Sequence, residues 1–202
     1  MAVLDKSLDS KILLSAKNEF FKKGFEKASL REICKNANVS TGAVYTRFNS
    51  KEQLFEELVK DIFHKVDEKF KFNDNNIQCK KIENSKDVVN WILSNNELEN
   101  IATFIYDNYD GFRLIINCSN DSIYRNFLHL FVDKSQNLLM NFFNKTNSVV
   151  LTVDKEELHL MLTTFWNAIF EVVKHNFSKE KAISYCKVLS NFFNWKSIID
   201  TK

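Results

Sequence analysis

The sequence contains no proline and only three glycines among its 202 residues. Proline and glycine mark the tight turns between strands, and proline also interrupts helices. Their scarcity argues against a fold of many short strands and favours helices joined by short polar turns. We therefore predict an all-α fold.

Long apolar runs and clustered metal ligands are missing as well. No apolar stretch approaches the roughly 20 residues that a transmembrane helix needs, and the N-terminal "MAVLDKSLDSKILL" mixes acidic residues with apolar ones, unlike a secretory signal. We expect a cytoplasmic protein that does not bind membranes. Cys34, Cys79, Cys118 and Cys186 form no CxxC motif, so the sequence predicts reduced thiols, no metal site and no cofactor.

Aromatic residues and an uneven distribution of charge are what the sequence does contain. Hydrophobic residues make up 45% of the chain, with 19 phenylalanines, which is ample surface for a buried core. The net charge is only +2, yet residues 1–51 hold ten Lys or Arg against five Asp or Glu. This excess suggests a polyanionic partner for the N-terminal quarter, although a solvated basic face is the simpler alternative.

Hydrophobic periodicity and capping residues predict where the helices lie. Gly24 is expected as a left-handed C-cap of the first helix. Ser29 with Glu32, and Ser50 with Gln53, are expected capping boxes of the second and fourth helices. The expected caps of the third helix and of the last two are Ser40, Asp154 with Glu157, and Ser178. The predicted helices span about 10–23, 29–37, 40–48, 50–70, 86–100, 101–109, 111–118, 122–145, 154–176 and 178–197, with a polar boundary at about 73–85.

The segment "SLREICKNANVSTGAVYTRF" combines a short helix, a tight turn and a second short helix. Asn38 tolerates positive φ at the turn, and small residues lie where two helices must approach closely. This is a helix-turn-helix, in which the second helix enters the major groove of DNA. The predicted DNA-binding residues are Ser29, Ser40, Thr41, Gly42, Tyr45, Thr46, Arg47 and Lys51.

Different roles are expected for these eight residues. Tyr45, Lys51 and the hydroxyls of Ser29 and Ser40 suit phosphates. Thr41, Thr46 and Arg47 are candidates for base edges. Gly42 has no side chain, so that the helix backbone can approach the DNA closely.

The string "FFKKGFEKASLREICKNANVSTGAVYTRFNSKEQLF" resembles the N-terminal DNA-binding domain of TetR/AcrR-type transcriptional regulators. Cys34 stands where the family usually has Ala, and Asn38 where it usually has Gly. The resemblance implies a helix-turn-helix domain at 1–51 and a helical effector-binding and dimerisation domain at 52–202. It also implies a homodimer that binds a roughly palindromic double-stranded operator and a small-molecule effector. The expected function is a transcriptional regulator, in most such proteins a repressor that its effector releases.

The last two predicted helices carry apolar residues on several sides, so they fit either a dimer interface or an internal core. The candidate dimer residues are Met161, Phe165, Ile169, Ala182, Cys186, Leu189 and Phe193. An effector pocket should be mostly apolar with a few polar groups. Its candidates, which could equally be core residues, are Phe104, Tyr109, Phe112, Arg113, Trp166, Asn167 and Phe170.

Two alternatives stay open from the sequence. One is a DNA-binding protein without an effector. The other is a helical metalloenzyme, because Glu156 with His159 and Glu171 with His175 stand at helical spacings. A di-iron centre needs the Glu-x-x-His pair twice, and only one copy is present, so we expect no enzyme.

Overall fold

The computed structural model describes residues 6–79, 95–145 and 149–201. Its α-helices are α1 (Lys6–Lys27), α2 (Leu30–Ala37), α3 (Thr41–Tyr45), α4 (Lys51–Cys79), α5 (Asn95–Asp107), α6 (Tyr109–Arg113), α7 (Asp121–Lys145), α8 (Lys155–Lys174) and α9 (Lys179–Phe192). A π-helical turn (Leu114–Cys118) follows α6, and a 3-10 turn (Trp195–Ile198) follows α9. The all-α prediction is confirmed.

Several predicted bounds differ from the structure. Helix α4 continues to Cys79, through the first half of the predicted polar boundary, and α9 ends at Phe192 because Phe193 takes an extended conformation. Residues 86–94 of the predicted helix 86–100 lie outside the described residues. The sequence also missed two three-residue strands, β1 (Val149–Leu151) and β2 (Ile199–Thr201), which pair antiparallel with Val150 opposite Asp200. Strands this short carry no periodicity that a sequence can reveal.

The chain divides into two compact units, Met1–Lys65 with Asp110–Tyr124, and Val66–Tyr109 with Arg125–Lys202. The division falls after Lys65, inside α4. The domain bounds of 1–51 and 52–202 stay a prediction. In the first unit the rings of Phe20, Phe25 and Phe55 pack together at centroid distances of 5.1–5.9 Å. The core of this unit further contains Ile12, Ala16, Ile33, Val44, Phe48 and Leu54.

Gly24 breaks α1 near its C-terminal end. Its φ of 72° and ψ of 168° lie in a region that is essentially restricted to glycine. The positive φ agrees with the predicted cap, but the ψ value is not that of a left-handed helix. The chain turns sharply here and leads through Phe25 to Ala28 toward α2.

The segment from Asp110 belongs to the first unit, where it packs against α1. The Lys17 ammonium lies 2.6 Å from the Asp110 carboxylate, and the Arg113 guanidinium lies 4.6 Å from the centre of the Phe21 ring. A Cβ at Gly111 would lie 3.0 Å from Cβ of Ile62, a tight contact that glycine avoids. Phe112, fully buried, belongs to the same unit. Of the seven pocket candidates, these contacts therefore assign Phe112 and Arg113 to the unit that contains α1.

The second unit is built around aromatic side chains of α4, α7 and α8. The Phe131 ring lies 4.6 Å from Trp166, 5.2 Å from Phe170 and 5.7 Å from Phe70. The Trp166 indole donates a buried hydrogen bond to the Ser135 hydroxyl at 2.9 Å. Trp166 and Phe170, two of the pocket candidates, are thus core neighbours.

The other three pocket candidates also belong to the second unit. Tyr109 stacks on Tyr106 at 5.1 Å, and its hydroxyl reaches the Asn176 side chain at 3.5 Å. Asn167 donates to the Thr163 carbonyl one turn earlier in α8, while Phe104 is half-buried. A pocket lined by these residues stays a prediction.

Most of the predicted dimer residues are core residues of a single chain. Phe165, Ile169, Ala182, Cys186 and Leu189 are between 0% and 8% exposed. Their own chain already covers them, so they are core residues here, and a role for these five in a dimer interface stays a prediction. Met161 and Phe193 are half-buried.

We expect that Tyr106→Phe lowers the free energy of unfolding by about 1 kcal/mol, since its hydroxyl donates a 2.6 Å hydrogen bond to the Phe177 carbonyl. Burial raises the pKa of Tyr106 to about 12, in keeping with a desolvated hydroxyl. The matched control is Tyr45→Phe, because Tyr45 is 50% exposed. Urea unfolding measures both; equal effects of the two changes would contradict the expectation.

Candidate nucleic-acid interface

The turn between α2 and α3 depends on Asn38, which adopts φ 55° and ψ 48°, the left-handed helical conformation. The Asn38 backbone N–H donates to the Lys35 carbonyl, and the Val39 N–H donates to the Cys34 carbonyl at 3.0 Å. These bonds satisfy carbonyls that the end of α2 leaves free. The sequence predicted this turn correctly.

Helix α3 is short and mostly exposed on the face opposite its buried Val44. The Ser40 hydroxyl accepts the Ala43 N–H at 3.1 Å and so caps the helix, as predicted. Along the exposed face lie Ser40, Thr41, Gly42, Tyr45 and Thr46. The Thr46 hydroxyl donates to the Ala43 carbonyl at 2.9 Å and accepts from Nη1 of Arg47 at 3.5 Å.

Ser29 precedes α2, but its side chain makes no cap hydrogen bond. The expected capping box with Glu32 is therefore wrong. Instead the Ser29 backbone N–H donates to Oε1 of Glu19, a buried residue of α1, at 3.2 Å. Sequence reasoning missed Glu19, although an acidic residue beside the apolar Ala16 and Phe20 is a usable signal of a buried polar contact.

Arg47 is held inside the first unit. Its side chain is 13% exposed, its Nε lies 2.7 Å from Oδ1 of Asp9, and its Nη1 donates to the Ala43 carbonyl at 3.3 Å. The Nε–H does not point at the carboxylate, so the contact with Asp9 is an ion pair without an aligned hydrogen bond. In this arrangement Arg47 fastens the end of α3 to α1 and does not face solvent as a base-reading residue would.

Lys51 also points inward. Its ammonium donates to the carbonyls of Phe25 and Glu26 at 2.7 and 3.2 Å, reaches that of Ala28 at 3.5 Å, and lies 4.6 Å from the Phe25 ring centre. The nearby Ser50 hydroxyl accepts the Gln53 N–H, as the predicted capping box requires. The Gln53 side chain, however, accepts from Asn49 rather than from Ser50.

The histidines of the metalloenzyme alternative contact one acidic residue and one other histidine. The His175 Nε2 lies 3.2 Å from Oε2 of Glu171, and the His159 ring stacks near His129 at 6.0 Å. In the part of the chain that the structure describes, no three His, Cys, Asp or Glu residues are grouped to hold a metal ion. Nor is any described helix long and apolar enough to span a membrane.

Comparison with known proteins identifies the helix-turn-helix. Residues 12–58, from α1 into α4, match the family model described as bacterial regulatory proteins, tetR family. This segment of the chain is therefore similar to the DNA-binding domain of tetR-family regulators. The first 51 residues, where the basic excess lies, include most of the matched segment.

A curated relative carries a similar segment. The uncharacterized HTH-type transcriptional regulator YdgC of Bacillus subtilis (strain 168) is 39% identical over 56 residues, which is 28% of this chain and 29% of the relative. The similarity to this HTH-type regulator thus spans less than a third of either chain.

Solved structures of transcriptional regulators share the fold over most of the chain. The regulator FadR from Bacillus subtilis in complex with stearoyl-CoA is 14% identical with a TM-score of 0.56, covering 91% of this chain and 96% of that chain. A cysteine mutant of the TetR family regulator CifR, complexed with 26bp double-strand operator DNA, is 14% identical with a TM-score of 0.58, covering 96% and 99%. The fold class is therefore that of these TetR-type structures.

We expect Asn38→Ala to lower the free energy of unfolding by about 1 kcal/mol, because alanine is strained in the left-handed conformation. Asn38→Gly should preserve stability, since glycine adopts this conformation freely. The control is Asn36→Ala, at an exposed helical position of α2. Thermal melts compare the three variants, and an Asn38→Ala protein as stable as Asn36→Ala would refute the role of the turn.

Proposed function

We propose that the protein is a sequence-specific, DNA-binding transcriptional regulator, a repressor that a small-molecule effector releases. The observation that carries this proposal is the exposed face of α3 and its two ends, which present Ser40, Thr41, Gly42, Tyr45 and Thr46. This face follows directly after the α2–α3 turn, in which Asn38 has a positive φ. A five-residue helix such as α3 fits the width of the major groove. The operator complex of CifR supports the same use of the fold.

The exposed groups suit different parts of the DNA. Tyr45 is 50% exposed although it is aromatic, which a packed ring would not be, and its hydroxyl suits a phosphate. Ser29 keeps its hydroxyl free of helix capping, so it can donate to a phosphate too. Thr41 and Thr46 remain the candidates for base edges. Arg47 and Lys51 contribute to the interface in their observed conformations only by holding the backbone in place.

The first experiment is to retain sheared genomic DNA of the source organism on the purified protein at physiological salt and to sequence it. We expect enrichment of a few sites that share an inverted repeat, since a symmetric dimer reads two half-sites. Retention of DNA without regard to sequence, by folded and ligand-free protein, would refute the proposal. The genes beside enriched sites then suggest effectors to test.

Gly42→Ala separates folding from DNA binding. A Cβ at this position would meet only the Ser40 hydroxyl, at 3.9 Å, so the fold accepts it and the helix gains up to about 1 kcal/mol in stability. We expect operator affinity to fall at least roughly tenfold, as a methyl group stands between the helix backbone and the DNA. The control, Asn18→Ala, changes an exposed residue of α1. Unchanged operator affinity of a folded Gly42→Ala protein would remove α3 from the interface.

The dimer proposed for this chain uses an exposed apolar stripe of α8 and α9, two helices that contact each other in the second unit. Leu160, Val188 and Phe192 are 67%, 61% and 77% exposed. Thr164 and Ala168 extend the α8 stripe at intervals of four residues. Large exposed apolar side chains at helical spacing favour a self-complementary interface between two copies.

We expect Phe192→Asp to shift the protein from dimer to monomer at micromolar concentration, because a carboxylate on the stripe would be buried without a partner. The adjacent Asn191→Asp adds the same acid on an exposed position beside the stripe and should remain dimeric. Light scattering coupled to size exclusion measures the mass of both. A dimer that tolerates Phe192→Asp would place the interface elsewhere.

The effector is proposed to bind within the aromatic second unit. The stearoyl-CoA complex of FadR supports a ligand-binding use of this fold, and the Phe70, Phe131 and Trp166 rings form an apolar environment. Binding should quench or shift the Trp166 fluorescence and release the operator. If no compound in a broad set of metabolites does either, a DNA-binding protein without effector becomes the better description. A DNA partner also implies a cytoplasmic location.

A further inference from the structure

The turn between α1 and α2 is held by two charged side chains from other parts of the first unit. Glu19, with its side chain 4% exposed, accepts the Ser29 N–H from the α2 side of the turn. Lys51, the first residue of α4, donates to carbonyls at Phe25 and Glu26 and reaches Ala28 on the α1 side. One acid and one base thus bind the donor and the acceptors of the segment Phe25–Ser29.

Glu19 accepts the backbone N–H at the start of α2, which no residue of α2 accepts. In a capping box the third helical residue accepts the N–H of the cap residue, and the cap side chain accepts an N–H of the helix. Here Glu19 takes the first of these bonds in place of Glu32, and the Ser29 side chain is left without a cap bond. The Lys23 ammonium, 3.2 Å from the same Glu19 oxygen, compensates the buried charge. The backbone of Ser29 is therefore fixed while its hydroxyl stays available.

Lys51 has its ammonium hydrogens committed to the protein. An ammonium has three donors, and three carbonyl oxygens lie within 3.5 Å of this one. The carbonyls of Phe25 and Glu26 follow the break at Gly24, and that of Ala28 lies between α1 and α2. A phosphate contact would require Lys51 to give up the carbonyls and its position over the Phe25 ring.

We propose that Glu19 and Lys51 are positioning residues that fix the α1–α2 turn and so direct Ser29 toward the DNA. Lys51 acts on DNA affinity through this turn and makes no direct phosphate contact. This inference rests on the proposed DNA-binding function for its effect on affinity. The geometry of the turn can be tested without DNA.

The first arm of the test measures amide hydrogen exchange at Ser29 by NMR on the full-length free protein. Glu19→Leu removes the acceptor and should speed exchange roughly fivefold or more, whereas Glu19→Gln keeps a carbonyl oxygen and should stay close to the unsubstituted protein. An unchanged exchange rate at Ser29 in a folded Glu19→Leu protein would overturn the proposal that Glu19 fixes the turn. If Glu19→Leu does not fold, exchange in Glu19→Gln as fast as at an unbonded surface amide overturns it equally.

The second arm measures operator affinity against salt concentration for the unsubstituted protein, Lys51→Met and the control Lys60→Met. Lys60 lies on α4 with its side chain 74% exposed. We expect Lys51→Met to weaken binding roughly fivefold or more with an unchanged salt slope, and Lys60→Met to change neither. A direct phosphate contact would instead lower the slope by about 0.9 for each lysine lost. That decrease, or an unchanged affinity, would overturn the positioning role.

A double substitution tests whether Glu19 acts through Ser29. In a Ser29→Ala background, Glu19→Leu should weaken operator binding much less than it does alone, because the hydroxyl that it directs is already missing. Fully additive losses would overturn this step. If the unsubstituted protein selects no operator, the proposed function fails, while the exchange arm still decides whether the turn is built as described.

Discussion

Helices as short as α2 and α3, with eight and five residues, have no independent stability, because helix nucleation is costly and each adds few hydrogen bonds. The candidate interface exists only through packing inside the first unit. Ile33 and Val44 are buried to 0% and 1% exposure, and the buried Ser15 hydroxyl donates to the Ile33 carbonyl at 2.8 Å. The position of the exposed hydroxyls on α3 is therefore a consequence of apolar burial behind them.

Charged side chains complete what apolar packing cannot satisfy. Glu19 and Lys51 bind backbone groups at the α1–α2 turn, and Arg47 binds both Asp9 and a carbonyl of α3. Helix ends leave backbone donors and acceptors free, and leaving such groups buried without partners is costly. Part of the basic excess of the first 51 residues, namely Arg47 and Lys51, thus binds groups within the protein. A count of lysines and arginines overstates the charge that this domain presents to DNA.

The second unit shows why a helix that is apolar nearly all round cannot be assigned from its sequence alone. Both core and interface positions of α8 are apolar, and burial separates them: Phe165 and Ile169 are covered by their own chain, while Leu160 is exposed. The same division on α9 separates Leu189 from Phe192. A second molecule can contact only the exposed apolar side chains of α8 and α9, such as Leu160 and Phe192, and not the buried ones that form the most regular apolar stripe.

The sequence by itself determined the helical class, the helix-turn-helix with its turn at Asn38, and the caps at Ser40, Asp154 and Ser178. These features are local, since each depends on residues within about one helical turn. Tertiary structure alone decided the inward direction of Arg47 and Lys51, the cap that Glu19 supplies, and the pairing of β1 with β2. Those contacts join residues from 10 to about 50 positions apart, and no local pattern specifies which distant partner a side chain will meet.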